Sequence, residues 1–131
     1  MALRIGIDLV AVEDVREALR AHGEHYLRRV YTPQEVRDCT VRGDVEPERL
    51  AGRFAAKEAA LKVLRPAGSA ACPLTAIEVV RDPEGWVSVR LTGAAAELAS
   101  RAGLADLALS VSHEAGFATA IVISENLVSG R

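Results

Sequence analysis

Residues 53–62 read RFAAKEAALK, and this stretch decides the architecture. Ala, Leu, Lys, Glu and Arg are the strongest helix formers, and between Pro47 and Leu64 only Gly52 interrupts them, so the composition predicts one long helix over 47–64. A helix turns about 100° per residue, which stacks Phe54, Glu58 and Lys62 on one face at i, i+4 and i+8. A carboxylate suited to a metal thus lies one turn from an ammonium suited to a phosphate. The same Glu58–Lys62 spacing is also the favoured orientation of a surface ion pair, worth about 0.2–0.5 kcal/mol and without chemical role. What separates the two readings is the company kept elsewhere, in RIGIDLV at 4–10 and LSVSHEAGFATAIV at 109–122.

Outward from the long helix, the pattern alternates between strand and helix signals. Leu3 to Val10 reads as a strand, with Leu3, Ile5, Ile7 and Leu9 on one face and Arg4, Gly6 and Asp8 on the other, the second face left low and open by Gly6. Val12, Val15, Ala18 and Leu19 have helical spacing that Gly23 ends, and a short helical piece covers 25–30. Thr32-Pro33 with Glu35 is a capping box for a helix over 33–39. A loop over 40–46 leads to the long helix. Pro66, Gly68, Ser69 and Pro73 mark another loop. Strands are expected at 76–81 and 86–91 about an Asp82-Pro83-Glu84-Gly85 turn, then a helix over 93–102 capped by Thr92 and closed by Gly103. A second hairpin is expected from 107–113 and 117–124. Strand pairs separated by helices, without strict βαβ alternation, argue for α+β with a mainly antiparallel sheet packed against the long central helix. Residues 1–125 form one domain, and 126–131 are expected to fray.

Composition narrows the function classes. The chain has 131 residues, half of them apolar, and only 4% aromatic. So few rings argue against a base-stacking platform for single-stranded nucleic acid. The net charge is −2, yet twelve of the 16 Lys and Arg fall at or before Arg65, a distribution that steers an acidic partner toward one region. Two cysteines, Cys39 and Cys72, have no zinc or disulfide spacing. No leader and no membrane-spanning run is present, so a cytoplasmic location is expected.

Asp8 ends the open face of the first strand. Paired with Glu58, it offers two hard oxygen ligands on rigid elements, the set that suits Mg²⁺ keeping several waters and taking its remaining ligands from phosphates. His113 lies at a hairpin end, suited to a phosphate or a reacting hydroxyl. Ser110 and Ser112 face away from it, against a Ser-His nucleophile. No glycine-rich phosphate loop occurs, so Arg53, Lys57 and Lys62 are the cations left for phosphates.

RIGIDLV at 4–10, YLRRVYTPQE at 26–35, LAGRFAAKEAALKVL at 50–64 and LALSVSHEAGFATAIVISE at 107–125 together resemble the holo-acyl-carrier-protein synthases, the short bacterial class of phosphopantetheinyl transferases. That resemblance implies transfer of 4′-phosphopantetheine from coenzyme A to a serine hydroxyl of an acyl carrier protein, with Mg²⁺, in a homotrimer whose sites lie between subunits. It makes Asp8 and Glu58 the metal ligands and Lys62 the lysine beside the pyrophosphate. Arg53, Phe54 and His113 then line the coenzyme A site, with Lys57 a further phosphate cation. Arg16 and Arg20, with Arg28 further along, grip the carrier. The base is Glu58 or a water it orients. The resemblance weakens at 11–15 and 65–69. The rival reading is a non-catalytic module that binds an acidic helical partner through the same arginines.

Overall fold

The first strand and the last run side by side through their whole length and set the frame for everything else. In the computed structural model, which describes residues 2–68 and 71–127, β1 (Ala2–Ala11) pairs antiparallel with β7 (Phe117–Asn126), from Ala2 opposite Asn126 to Ala11 opposite Phe117. β6 (Ala108–Glu114) pairs with β7 on its other edge, giving a three-stranded antiparallel sheet in the order β1-β7-β6. α1 (Val12–Val30) follows β1 and α2 (Pro33–Asp38) follows α1. α3 (Pro47–Leu64) then crosses one face of the sheet. A 3₁₀ turn (Leu74–Ala76) leads into the β4 (Ile77–Arg81) and β5 (Val87–Leu91) hairpin, and α4 (Gly93–Ala102) returns the chain to β6.

The α+β architecture read from sequence holds, and the differences are local. Gly23 ends one helical piece as expected: with φ 52° and ψ −128° it leaves the helical region, and a second piece follows across a kink, so α1 is two helices joined at Gly23. Within the expected 40–46 loop, β2 (Thr40–Val41) and β3 (Asp44–Val45) close a two-rung hairpin over Arg42 and Gly43, both at positive φ. Thr92 holds the N-cap position of α4, but its hydroxyl turns to the carbonyl of Ala76 at 3.4 Å instead of into the helix. Trp86 belongs to the turn and is exposed. The ordered chain also passes the expected tail boundary: Asn126 ends β7, and the Leu127 amide donates to the Gly103 carbonyl at 2.8 Å. Residues 128–131 of that expected tail lie outside the described residues.

α3 lies unusually close to the sheet because both surfaces are small. Its buried side chains include Ala51, Ala55, Ala56, Ala59 and Ala60, all at 0% exposure. On the sheet side Ala118, Ala120, Val122 and Gly6 face it. A Cβ placed on Gly6 would stand 2.1 Å from the carbonyl oxygen of Ala59, so this contact exists only because residue 6 has no side chain. β1 therefore turns its polar face, Arg4, Gly6 and Asp8, inward against α3. Its apolar face is left open: Leu3, Ile5, Ile7 and Leu9 are 60–67% exposed, and Phe117 beside them is 46% exposed.

Candidate active site

The inward face of β1 and the open stripe of α3 meet along one line. Gly6 admits the helix, and two residues further along the same face Asp8 arrives beside the last turns of α3. Thr119 fixes the strand there by donating its hydroxyl to the Asp8 carbonyl at 2.9 Å. Lys62 reaches across from α3, donating to the Ile7 carbonyl at 2.7 Å and approaching the Asp8 carboxylate at 3.4 Å. Its side chain remains 56% exposed, whereas that of Asp8 is 19% exposed, so the ammonium is anchored yet open to a further anion. The stacking of Phe54, Glu58 and Lys62 predicted from the helical repeat is present: these residues form the partly open stripe of a helix buried on its other sides.

Asp8 and Glu58 line a single cleft of about 320 Å³, with Phe54 and Tyr26 forming part of its wall. Burial raises the Glu58 carboxyl above its ordinary range, the negative charge of Asp8 raises it further, and Lys62 offsets part of the rise. The shared cleft places the two carboxylates in one field. The carboxylates of Asp8 and Glu58 are hard oxygen donors that fit a divalent cation retaining waters, and the anchored Lys62 ammonium stays beside them for a further anion. Asp14, from the first turn of α1, lines the same cleft, although among the described residues no three Asp, Glu, His or Cys side chains converge as a complete metal cage.

Other expected site residues fall elsewhere. Lys57 is the clear correction. It is fully buried on the opposite side of α3, paired with the equally buried Glu35 at 2.7 Å, and donates to the carbonyls of Leu74 at 3.0 Å and Ile77 at 2.6 Å. All three of its protons are used, so it has none for a phosphate. Burial lowers its pKa, opposed by the charge and hydrogen bond of Glu35. His113 is exposed but sits higher along α3, its Nε2 3.1 Å from the Glu48 carbonyl oxygen and against Gly52, where an added Cβ would meet it at 2.9 Å. Six residues of helix, about 9 Å, separate Gly52 from Glu58. Arg53 is buried, with Nε and Nη2 unpartnered. Arg16 and Arg20 pair with their own helix neighbours Glu13 and Glu17 at 2.7 and 2.5 Å, and Arg28 borders a separate apolar groove with Leu27 and Tyr31.

The sequence reading missed Tyr26, Asp14 and the second role of Glu35. Tyr26 lines the cleft and exchanges a 2.8 Å hydrogen bond with Tyr31, whose hydroxyl donates to the Leu50 carbonyl of α3. Its only signal was a place in YLRRVYTPQE. Asp14 carries no signal of its own, since an acid in the first turn of a helix is favoured by the helix dipole alone. Glu35 does complete the capping box, accepting from Thr32 N at 2.8 Å, but it also accepts from Val79 N at 2.7 Å and binds Lys57. Nothing in S/T-x-x-E spacing distinguishes a surface cap from a buried hub.

Comparison with known proteins gives the same family from three directions. A model of the 4′-phosphopantetheinyl transferase superfamily matches residues 4–122. The holo-[acyl-carrier-protein] synthase of Halorhodospira halophila is 43% identical over 130 residues, covering 99% of this chain and all of that protein. That of Desulforudis audaxviator is 42% identical over 124 residues, covering 95% and 93% of the two chains. Among solved structures, a coenzyme A complex of the synthase from Chronobacterium ammoniagenes superimposes with a TM-score of 0.83 at 33% identity, covering 96% of this chain and 98% of that one. The Helicobacter pylori synthase in complex with coenzyme A gives 0.79 at 27% identity, covering 92% and 99%. With its length matched almost end to end, the chain belongs to the 4′-phosphopantetheinyl transferase superfamily, in the holo-[acyl-carrier-protein] synthase family.

Proposed function

We infer that this protein transfers 4′-phosphopantetheine from coenzyme A to a serine hydroxyl of an acyl carrier protein, releasing adenosine 3′,5′-bisphosphate. The observation that carries the reading is that Asp8 and Glu58 line one cleft, with the Lys62 ammonium 3.4 Å from the Asp8 carboxylate, in a chain of this family. Asp8 and Glu58 would hold Mg²⁺, which supplies charge neutralisation on the pyrophosphate. Lys62, held by the Ile7 carbonyl, presents its remaining protons to the same phosphates. The serine oxygen forms a bond to the β-phosphorus as the bond to the leaving phosphate breaks, and the hydroxyl proton must go to a nearby base. The base is the Glu58 carboxylate or a water that it orients. Phe54 packs beside it and helps exclude water from the cleft. The unpartnered guanidinium nitrogens of Arg53 and the exposed ring of His113 are assigned to the nucleotide end of coenzyme A. Arg16, Arg20 and Arg28 are assigned to the carrier.

The open apolar face of β1 supports a homotrimer. Four large aliphatic side chains in a row, with Phe117 beside them, form a patch that an isolated soluble chain seldom exposes. Burial of this face between copies also gives a small chain a cleft large enough for coenzyme A. Among the described residues no helix is long and apolar enough to cross a membrane, and a cytoplasmic location belongs to the same proposal.

The test is incubation with coenzyme A, Mg²⁺ and an unmodified carrier protein, followed by intact mass measurement. The carrier is expected to gain one phosphopantetheine; no gain across several carriers would return the protein to the class of non-catalytic binding modules.

A further inference from the structure

We propose that Lys57 is a positioning residue for this reaction: its buried pairing with Glu35 sets the rotation of α3 that turns Glu58 toward Asp8. The role rests on the function inferred above, but its physical basis is independent of it. Helices are usually held in register by large side chains that interlock with their neighbours. Leu50, Val63 and Leu64 are buried toward the two ends of α3, but its middle turns bury Ala51, Ala55, Ala56, Ala59 and Ala60, which form a nearly smooth cylinder against the sheet. Such a surface permits the close approach at Gly6 but does little to resist rotation about the helix axis.

Directional polar bonds supply that resistance, and among the described residues Lys57 makes the only fully buried ion pair. Its ammonium is fixed from three directions, by Glu35, Leu74 and Ile77. Glu35 is itself immobilised by the backbone amides of Thr32 and Val79. The pin therefore anchors α3 to the start of α2 and to β4, elements that do not line the cleft. Lys57 and Glu58 are consecutive, so any rotation that releases the first carries the second with it. At a side-chain radius of about 5–6 Å, a rotation of about 20° moves the Glu58 carboxylate by roughly 2 Å. Displacements of about 1 Å in a catalytic group already lower rates by about 100-fold. Buried ion pairs are often replaceable by neutral groups without loss of stability, so stability alone does not account for this one.

The experiment uses the full chain carrying Glu35→Gln and Lys57→Met together, which removes both charges, keeps one acceptor oxygen for the Thr32 or the Val79 amide, and leaves the Leu74 and Ile77 carbonyls without the Lys57 donor. Four quantities are measured: the melting temperature, kcat, KM for coenzyme A, and Mn²⁺ affinity by calorimetry. The positioning role predicts a folded protein with KM within about twofold of wild type and kcat lower by about 100-fold. Mn²⁺ affinity is expected to fall by about tenfold or more, as when an orienting neighbour of a metal ligand is lost. Wild-type kcat and Mn²⁺ affinity in the folded variant would overturn the proposal and leave the pair a purely structural one. If this variant does not fold, Glu35→Gln with Lys57→Gln restores a donor for the carbonyls, and the same comparison decides. An inactive wild type would contradict the transferase reading, while the Mn²⁺ comparison would still test the role of Lys57.

Discussion

The two sides of α3 treat charge in opposite ways. Behind the helix Lys57 meets Glu35, Glu35 meets two backbone amides, and Glu78 binds Arg90 and the Thr32 hydroxyl, while Arg53 keeps two buried guanidinium nitrogens without a partner among the described residues. For Glu78, burial pushes the carboxyl upward, but the Thr32 hydrogen bond, Arg90 and Lys57 together bring it below its ordinary value. In front of the helix, Asp8 and Glu58 share a single half-exposed lysine, and burial and repulsion push Glu58 upward. The Lys57–Glu35 pair is neutralised within the interior, and the cleft retains an excess of negative charge beside Lys62. Neighbouring residues of one helix, Lys57 and Glu58, thus divide between holding the fold and performing chemistry.

The largest effect that would break this contrast is Lys57→Met alone. It leaves Glu35 charged and unpaired in the interior and is expected to cost about 3–5 kcal/mol in urea unfolding; a loss below about 1 kcal/mol would mean that the interior does not depend on the pair. In the cleft, Asp8→Ala and Glu58→Ala are each expected to lower transfer by about 1,000-fold, equivalent to about 4 kcal/mol, while the helical circular dichroism signal stays at wild-type strength. Equal loss of helix and of activity would instead make these carboxylates part of the framework. Gly6→Ala lies between the two regions. With its Cβ 2.1 Å from the Ala59 carbonyl oxygen it must force strand and helix apart, an overpacking expected to cost about 1–3 kcal/mol and to lower activity as well. A wild-type melting temperature would show that α3 has room to withdraw.

The smallest effect sharpens the comparison through pH. Because the Glu58 carboxyl is raised in the folded protein, its ionisation is harder there than in the unfolded chain. Glu58 therefore supports the fold while protonated and loses that contribution as pH rises through its folded pKa. Metal-free Glu58→Gln is expected to melt slightly above wild type at neutral pH, with the gap closing below the ordinary carboxylate range. A lower melting temperature for the variant at neutral pH would contradict the strain assigned to the cleft.

Much of this division was legible in the sequence because it depends on spacing. The stacking of Phe54, Glu58 and Lys62 follows from the helical repeat, and the approach of Asp8 follows from alternation along RIGIDLV. Lys57 was misread because local spacing carries no information about which side of an alanine-rich helix is covered. Its burial is decided by Glu35, 22 positions earlier, and by the carbonyls of Leu74 and Ile77, which only the folded chain brings to it. The open face of β1 was hidden for a related reason. Alternation identifies Leu3, Ile5, Ile7 and Leu9 as one face, but it does not state that the small residues opposite them receive the helix.

The central claim is that Asp8 and Glu58 together hold one divalent ion. Calorimetric titration of Mn²⁺ into the wild-type protein in the presence of coenzyme A, repeated with Asp8→Asn and with Glu58→Gln, tests it most directly. The account predicts one ion per chain for wild type and at least a tenfold weaker affinity in each variant. Wild-type binding in either variant would contradict it.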